Sequence, residues 1–235
     1  MAEAIAARAE SATSAAAAPP IAAPDLKDAA GEVYLDDTWA LWFHDPDDPD
    51  WTNASYVQIA AISSANNFWA VQSLLSDKVQ NGMFFLMREH VFPCWDDPYN
   101  AQGGSLSVKV PNQEATRFWE DLCTSMLSDN LVRGGGHEDT PQGGTGPDRG
   151  PDAGASPGPD AGEPPKTHDL VNGLSVTPKG GFCVFKLWLG EAAPKEPCRY
   201  AIPPFQGQAL YKSHAACMVD ASAKAVKPAP ARRAP

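Results

Sequence analysis

The sequence predicts an α+β domain: mainly antiparallel strands with helices inserted between them. Three observations carry this. Short segments rich in aromatic and β-branched residues recur between turn-forming clusters. Two intervening segments instead place their apolar residues at helical spacing. And all seven tryptophans fall between an alanine-rich start and a basic tail, outside a Gly/Pro-rich insertion.

In chain order, Trp39-Ala-Leu-Trp-Phe43 and Tyr56–Ile62 read as strands. The loop between them, Asp45-Pro-Asp-Asp-Pro-Asp50, is too charged and proline-rich to be anything but solvated. Asn67 reads as the cap of a helix to about Val79, with Phe68, Val71, Leu75 and Val79 as its stripe. Trp69 lies about 100° round from Phe68, to the side of that stripe. Strands follow at Met83–Arg88 and Gly104–Val110, separated by a turn at Pro93–Asn100. A second helix, capped by Asn112, runs from about Gln113 to Ser128, with Ala115, Phe118, Trp119, Leu122 and Met126 inward. Strands resume at Leu170–Thr177 and Phe182–Leu189. The four prolines of Gly190–Gln208 argue against a regular helix there.

Two stretches cannot bury enough surface to offset their ordering entropy. Residues 1–32 form an alanine-rich tail, and about 130–168 form an insertion with ten glycines and seven prolines within 134–165. Both are expected to be disordered, as is a basic tail at 221–235. That leaves 33–220 as the folded domain. No run of apolar residues is long enough to span a membrane. Glu3, Glu10 and Asp25 argue against a secretory or transit leader. Five cysteines without paired spacing suit reduced thiols in the cytoplasm.

The net charge of -11 excludes a general binder of nucleic acid, whose affinity comes from neutralising phosphates with Lys and Arg. The charge is unevenly spread: residues 33–128 sum to -9 and 170–235 to +6. An anionic ligand is therefore expected at the carboxy-terminal strands.

No phosphate-binding loop, dinucleotide fingerprint, serine-hydrolase elbow or zinc-protease motif is present, and no metal or cofactor is implied. His90 and Cys94 are a candidate pair for nucleophilic or metal chemistry, but a strand running into a turn accounts for them without it. The protein reads as a binder and not an enzyme. Trp51 and Trp95 each lie on a turn-rich loop. One tryptophan is normally a core residue; two on two loops of one small domain are less easily explained that way. Parallel indoles can hold a flat, cationic ring between them, at about 0.5–2 kcal/mol per indole. Asp96 adds a carboxylate able to accept two parallel hydrogen bonds from the N1–H and N2–H₂ edge of guanine. Lys179 and Lys186 flank Trp188 in the basic quarter, and Lys186 shares a strand face with it, as phosphates on such a base require.

These residues resemble the eukaryotic translation initiation factor 4E family, which binds the 7-methylguanosine cap of messenger RNA. The matching segments run in order: Trp39-Ala-Leu-Trp-Phe43, Trp51, Asn67-Phe-Trp-Ala70, Pro93-Cys-Trp-Asp96, Gly103-Gly104, Arg117-Phe-Trp119, Lys186-Leu-Trp188 and Tyr211-Lys-Ser-His214. The resemblance implies a curved antiparallel sheet, the cap on its concave face and helices on its convex back. It makes Trp51 and Trp95 the sandwich, Asp96 the guanine reader, and Trp188 a neighbour of the 7-methyl group. Lys179 stands where a phosphate-binding arginine is expected, and Lys186 is a candidate second cation. On the back, it assigns Trp69 to a helical partner of pattern Tyr-x-x-x-x-Leu-hydrophobic. That partner is a scaffold factor of the 4G type or a 4E-binding repressor. Val33 and Leu35 flank the groove, with Glu120 and Asp121 on the exposed side of the second helix. A boundary tryptophan covered by the amino-terminal arm is the other reading of Trp69. The chain is expected to act as a monomer in translation initiation; the alternative is a paralogue serving as repressor or interaction module with weak cap binding. Ser105, Leu106 and Val184 depart from the family pattern, which expects arginine, tryptophan and lysine there.

Overall fold

In the computed structural model, residues 31–133 and 170–225 are described. The segment before residue 31, residues 134–169 and those after 225 lie outside them, and with them most of the expectations of disorder; the insertion expected from about 130 starts later, because Leu131 is fully buried in the core and Val132 pairs with Tyr200.

Seven strands form one antiparallel, curved sheet: β1 Tyr34–His44, β2 Tyr56–Ser64, β3 Met83–Arg88, β4 Gly104–Pro111, β5 Val171–Pro178, β6 Phe182–Leu189 and β7 Leu210–Ser213. Their order across the sheet is β2-β1-β3-β5-β6-β4-β7. Among the described residues there are three α-helices: α1 Ala65–Leu75, α2 Asn112–Leu127 and α3 His214–Ala225. Strand alternation divides the side chains between two faces. Trp39, Leu41 and Phe43 of β1, Phe84 and Leu86 of β3, and Phe185 and Leu187 of β6 enter the main core. Phe68 and Leu75 of α1, and Phe118, Trp119 and Leu122 of α2, cover that convex side. Met83, Phe85, Met87 and Trp188 point the other way and form a second cluster with Val91, bordered by Trp42, Tyr56 and Trp95. β3 is buried at all six positions, because both of its faces are covered.

The helix starts differ from expectation. α1 begins at Ala65: the Ser64 hydroxyl accepts the Asn67 N–H at 3.2 Å, so Asn67 lies within the first turn and Ser64 is the cap. The helix ends at Leu75, and the turns that follow still bring Val79 into the core. Pro111 precedes α2 and Asn112 does not cap it; the Asn112 amide instead donates to Gly180 O at 2.6 Å, tying the helix to the β5–β6 hairpin. Ala115, Phe118, Trp119, Leu122 and Met126 are all buried as expected.

Residues 190–208 hold one short 3-10 turn, Pro197–Arg199, and there the Tyr200 hydroxyl donates to Pro194 O at 2.6 Å. At the entry to β4 only glycine fits: a Cβ on Gly103 would meet Leu189 O at 1.9 Å. The chain then returns as β7 beside β4 and continues into α3. This helix runs past 220, so the boundary expected there falls inside it. Its first residue, His214, packs its ring 4.9 Å from Trp188, so α3 begins on the concave side, opposite α1 and α2.

Candidate functional site

Two loops and three strands build the concave face. The first loop, after β1, is folded by its aspartates. Asp45, Asp48 and Asp50 accept the backbone N–H two residues on from each, at 3.0, 2.9 and 2.8 Å. The buried His44 ring lies inside it, with Nδ1 and Nε2 each 2.8 Å from a carbonyl oxygen, those of Asp45 and Asp50. Trp51 stacks on that ring at 4.2 Å with planes 11° apart. It is 56% exposed, so the histidine backs the indole while much of it remains open to solvent.

Asp97, not Asp96, shapes the second loop. Its carboxylate accepts the N–H groups of Phe92 and Tyr99 at 3.1 and 2.9 Å. Buried Asn100 donates to Phe92 O and Cys94 O at 3.0 and 2.9 Å. Asp96 is exposed, and its carboxylate acts on the Cys94 thiol beside it. Burial, followed by that carboxylate, holds the Cys94 thiol up at about 12, which removes it as a nucleophile. His90 meets only Tyr99 edge-on, 4.7 Å between centroids, so the His90–Cys94 pair forms no catalytic arrangement. No group of three or more potential metal ligands occurs among the described residues.

Trp95 is half-buried against the second cluster, and the Lys186 ammonium lies 5.7 Å from its ring centroid. Burial lowers the pKa of Lys186, and the like charges of Lys179 and Lys212 push it the same way. The structure thus brings Lys179 and Lys186 within electrostatic range of each other and adds Lys212, which the sequence reading missed. Trp188 is placed differently from an open ligand contact. It is 3% exposed, donates its Nε1–H to Ser175 Oγ at 3.0 Å, and is flanked by Phe85 and His214. It serves as floor.

Tyr56 links the two loops. Its ring meets Trp51, His44, Phe92 and Phe85 edge-on, at 6.4, 4.9, 5.2 and 5.5 Å.

On the convex side, Trp69 is 51% exposed and rests edge-on against Phe68. It borders a groove of about 280 Å³ lined by Val33, Tyr34, Leu35, Phe68, Leu127 and other residues of β1, α1 and α2. Val33 and Leu35 both line it. Glu120 and Asp121 do not line it: Glu120 accepts from Gln72 at 3.1 Å, and Asp121 faces a separate groove beside Pro203 and Pro204. Consecutive helical positions diverge by about 100°, which sends the two carboxylates apart. Tyr34, Phe68 and Leu127 were legible as apolar residues but not as groove walls.

A curved antiparallel sheet, with helices on its back and an open tryptophan on a front loop, defines an α+β module with exposed aromatic side chains on both faces. The family model described as Eukaryotic initiation factor 4E matches residues 34–200, and the chain belongs to that family. Curated relatives are more distant. Eukaryotic translation initiation factor 4E-4 of Caenorhabditis elegans is 29% identical over 97 residues, covering 38% of this chain and 42% of that protein. The human factor 4E is 25% identical over 104 residues, covering 41% and 48%. The chain therefore matches under half the length of either relative. The fold is shared with C. elegans eIF4E-3 in complex with the 4E-binding protein Mextli: TM-score 0.55, 16% identity, 79% of this chain and 96% of that one. The same protein solved with Mextli and a cap analog gives 0.54, 17%, 82% and 96%.

Proposed function

We propose that the protein binds the 7-methylguanosine cap of messenger RNA on its concave face and a helical peptide of a scaffold factor or repressor on its convex face. The observation that carries the first part is the Lys186 ammonium over the Trp95 ring. A cation already rests against that indole, which is the interaction a methylated, positively charged guanine exploits. In this reading the base enters between Trp51 and Trp95, Lys186 withdraws towards the phosphates, and Asp96 accepts from the guanine edge. Lys179 and Lys186 attract the phosphate chain, and Trp188 supports the base from below. The exposed Trp69 and its apolar groove support the second part. Such work belongs in the cytoplasm, and no helix among the described residues is long and apolar enough to cross a membrane.

Tryptophan fluorescence titration tests the reading. Quenching by 7-methylguanosine triphosphate is expected at concentrations where unmethylated GTP has little effect. Trp95→Ala removes it, while Trp69→Ala leaves it unchanged and abolishes binding of a Tyr-x-x-x-x-Leu-hydrophobic peptide. Equal quenching by the two nucleotides would sink the cap reading.

A further inference from the structure

We propose that Lys212 is a third phosphate-binding cation of the concave face, held by Asp220 of α3 until a polyphosphate releases it. The inference rests on the cap-binding reading and adds to it a residue and a latch.

The register of the sheet carries the argument. On β4, Ser105 stands opposite Trp188 of β6 on one side and Lys212 of β7 on the other. Two residues on, Ser107 stands opposite Lys186 and Leu210. Residues directly paired, or two apart along a strand, share a face, so Trp188, Ser105, Lys212, Ser107 and Lys186 all belong to the concave side. Lys186 and Lys212 are thus separated by the width of one intervening strand. Their backbones lie about 12 Å apart, two strand spacings across the sheet and two residues along it. At the two rows between them the intervening strand contributes only serines, short side chains over which the two lysines can extend, and Ser175 borders Lys186 on the far side.

The charges agree with this geometry. Lys186 feels both Lys179 and Lys212 as like charges. Lys186 and Lys212 are cations of one sign on one face, two residues apart in register along β4, and a chain of phosphates between them relieves both. Lys186 is turned towards Trp95 in this state, which leaves Lys179 and Lys212 as the cations free of the base end. Lys212 is not idle: its ammonium donates to the Asp220 carboxylate. Both side chains are about half exposed, at 45% and 61%, so water screens the pair. A multiply charged phosphate chain competes well against one solvated carboxylate. The position opposite Lys212 is Ser105, where the family pattern expects arginine.

The test is a titration of the full chain with 7-methylguanosine mono-, di- and triphosphate, read by tryptophan quenching, for wild type, Lys212→Ala, Lys212→Arg and Asp220→Asn. Lys212→Ala should weaken the triphosphate about 10-fold and the monophosphate less than about 2-fold, the loss of one charge-assisted contact. Lys212→Arg should restore the triphosphate, and Asp220→Asn should tighten it about 2- to 5-fold by freeing the cation. A Lys212→Ala variant that binds the triphosphate like wild type, or that loses all three ligands equally, overturns the phosphate role. An unchanged Asp220→Asn overturns the latch. Wild type that does not distinguish methylated from unmethylated nucleotide overturns the cap reading, and this proposal with it.

Discussion

Gln72 of α1 and Trp119 of α2 are joined by a buried hydrogen bond, indole Nε1–H to Oε1, at 3.1 Å. The same amide donates from Nε2 to Glu120 at 3.1 Å. One polar side chain thus fixes two helices that wall the Trp69 groove. Gln72→Met keeps the volume but orphans the Trp119 N–H, so a loss of about 1–3 kcal/mol is expected in urea unfolding. Peptide binding at the groove should weaken while nucleotide binding at the opposite face holds. A variant as stable as wild type would show that water takes over the indole N–H.

His44 is the backing of Trp51. His44→Ala removes the stacked ring and frees the aspartate loop, and the affinity for 7-methylguanosine triphosphate should fall about 2- to 10-fold, the value of one aromatic pair. His44→Phe preserves the stack and should recover most of that loss. Equal losses in both would place the role of His44 in its two carbonyl contacts instead.

The cysteines divide by environment. Cys94 is held protonated, whereas Cys198 is exposed. Brief treatment with iodoacetamide at neutral pH should label Cys198 first and leave Cys94 unmodified, as peptide mass mapping can read. Rapid labelling of Cys94 would restore the nucleophile reading of the His90–Cys94 segment.

His214 gives stability a pH dependence. Burial is the main cause holding it below the ordinary imidazole value of 6.5, with Lys186 pushing the same way and the Asn100 carbonyl opposing. The unfolded chain therefore binds the proton more readily than the native one. Its contribution is fully present above about 6.5 and is lost as pH falls through the lower native value. Melting temperatures of wild type and His214→Gln, compared from about pH 8 to 5, should differ most at the alkaline end and converge towards acid. A constant gap would contradict this.

Most of the fold was legible because its elements announce themselves locally. Phe185, Leu187, Lys186 and Trp188 alternate as a strand must, and the α2 stripe from Ala115 to Met126 keeps helical spacing over about three turns. What stayed hidden was set by partners distant in sequence. Asn67 and Ser64 are both good caps, and only the hydroxyl geometry of Ser64 decides between them. β7 is four residues long, too short to show a period, and the Ala-rich segment after it reads as tail although alanine is the best helix former. Lys212 went unread for the same reason. Trp188 was identifiable as a concave-face side chain, but its cover, His214, arrives from two elements later. Asp96 and Asp97 look interchangeable in sequence, and only the backbone N–H groups of Phe92 and Tyr99 assign the structural role to Asp97.

β3 is buried on both sides: Phe84 and Leu86 belong to the core beneath the helices, Phe85 and Met87 to the cluster beneath the nucleotide face. The strand therefore touches both the core under the helices that wall the Trp69 groove and the cluster under the opposite face. A substitution in this strand that shifts its backbone is felt on both surfaces at once, whereas changes at Trp69 or Trp51 stay local. The six residues of β3 are thus the strand through which a backbone shift under one face reaches the packing under the other.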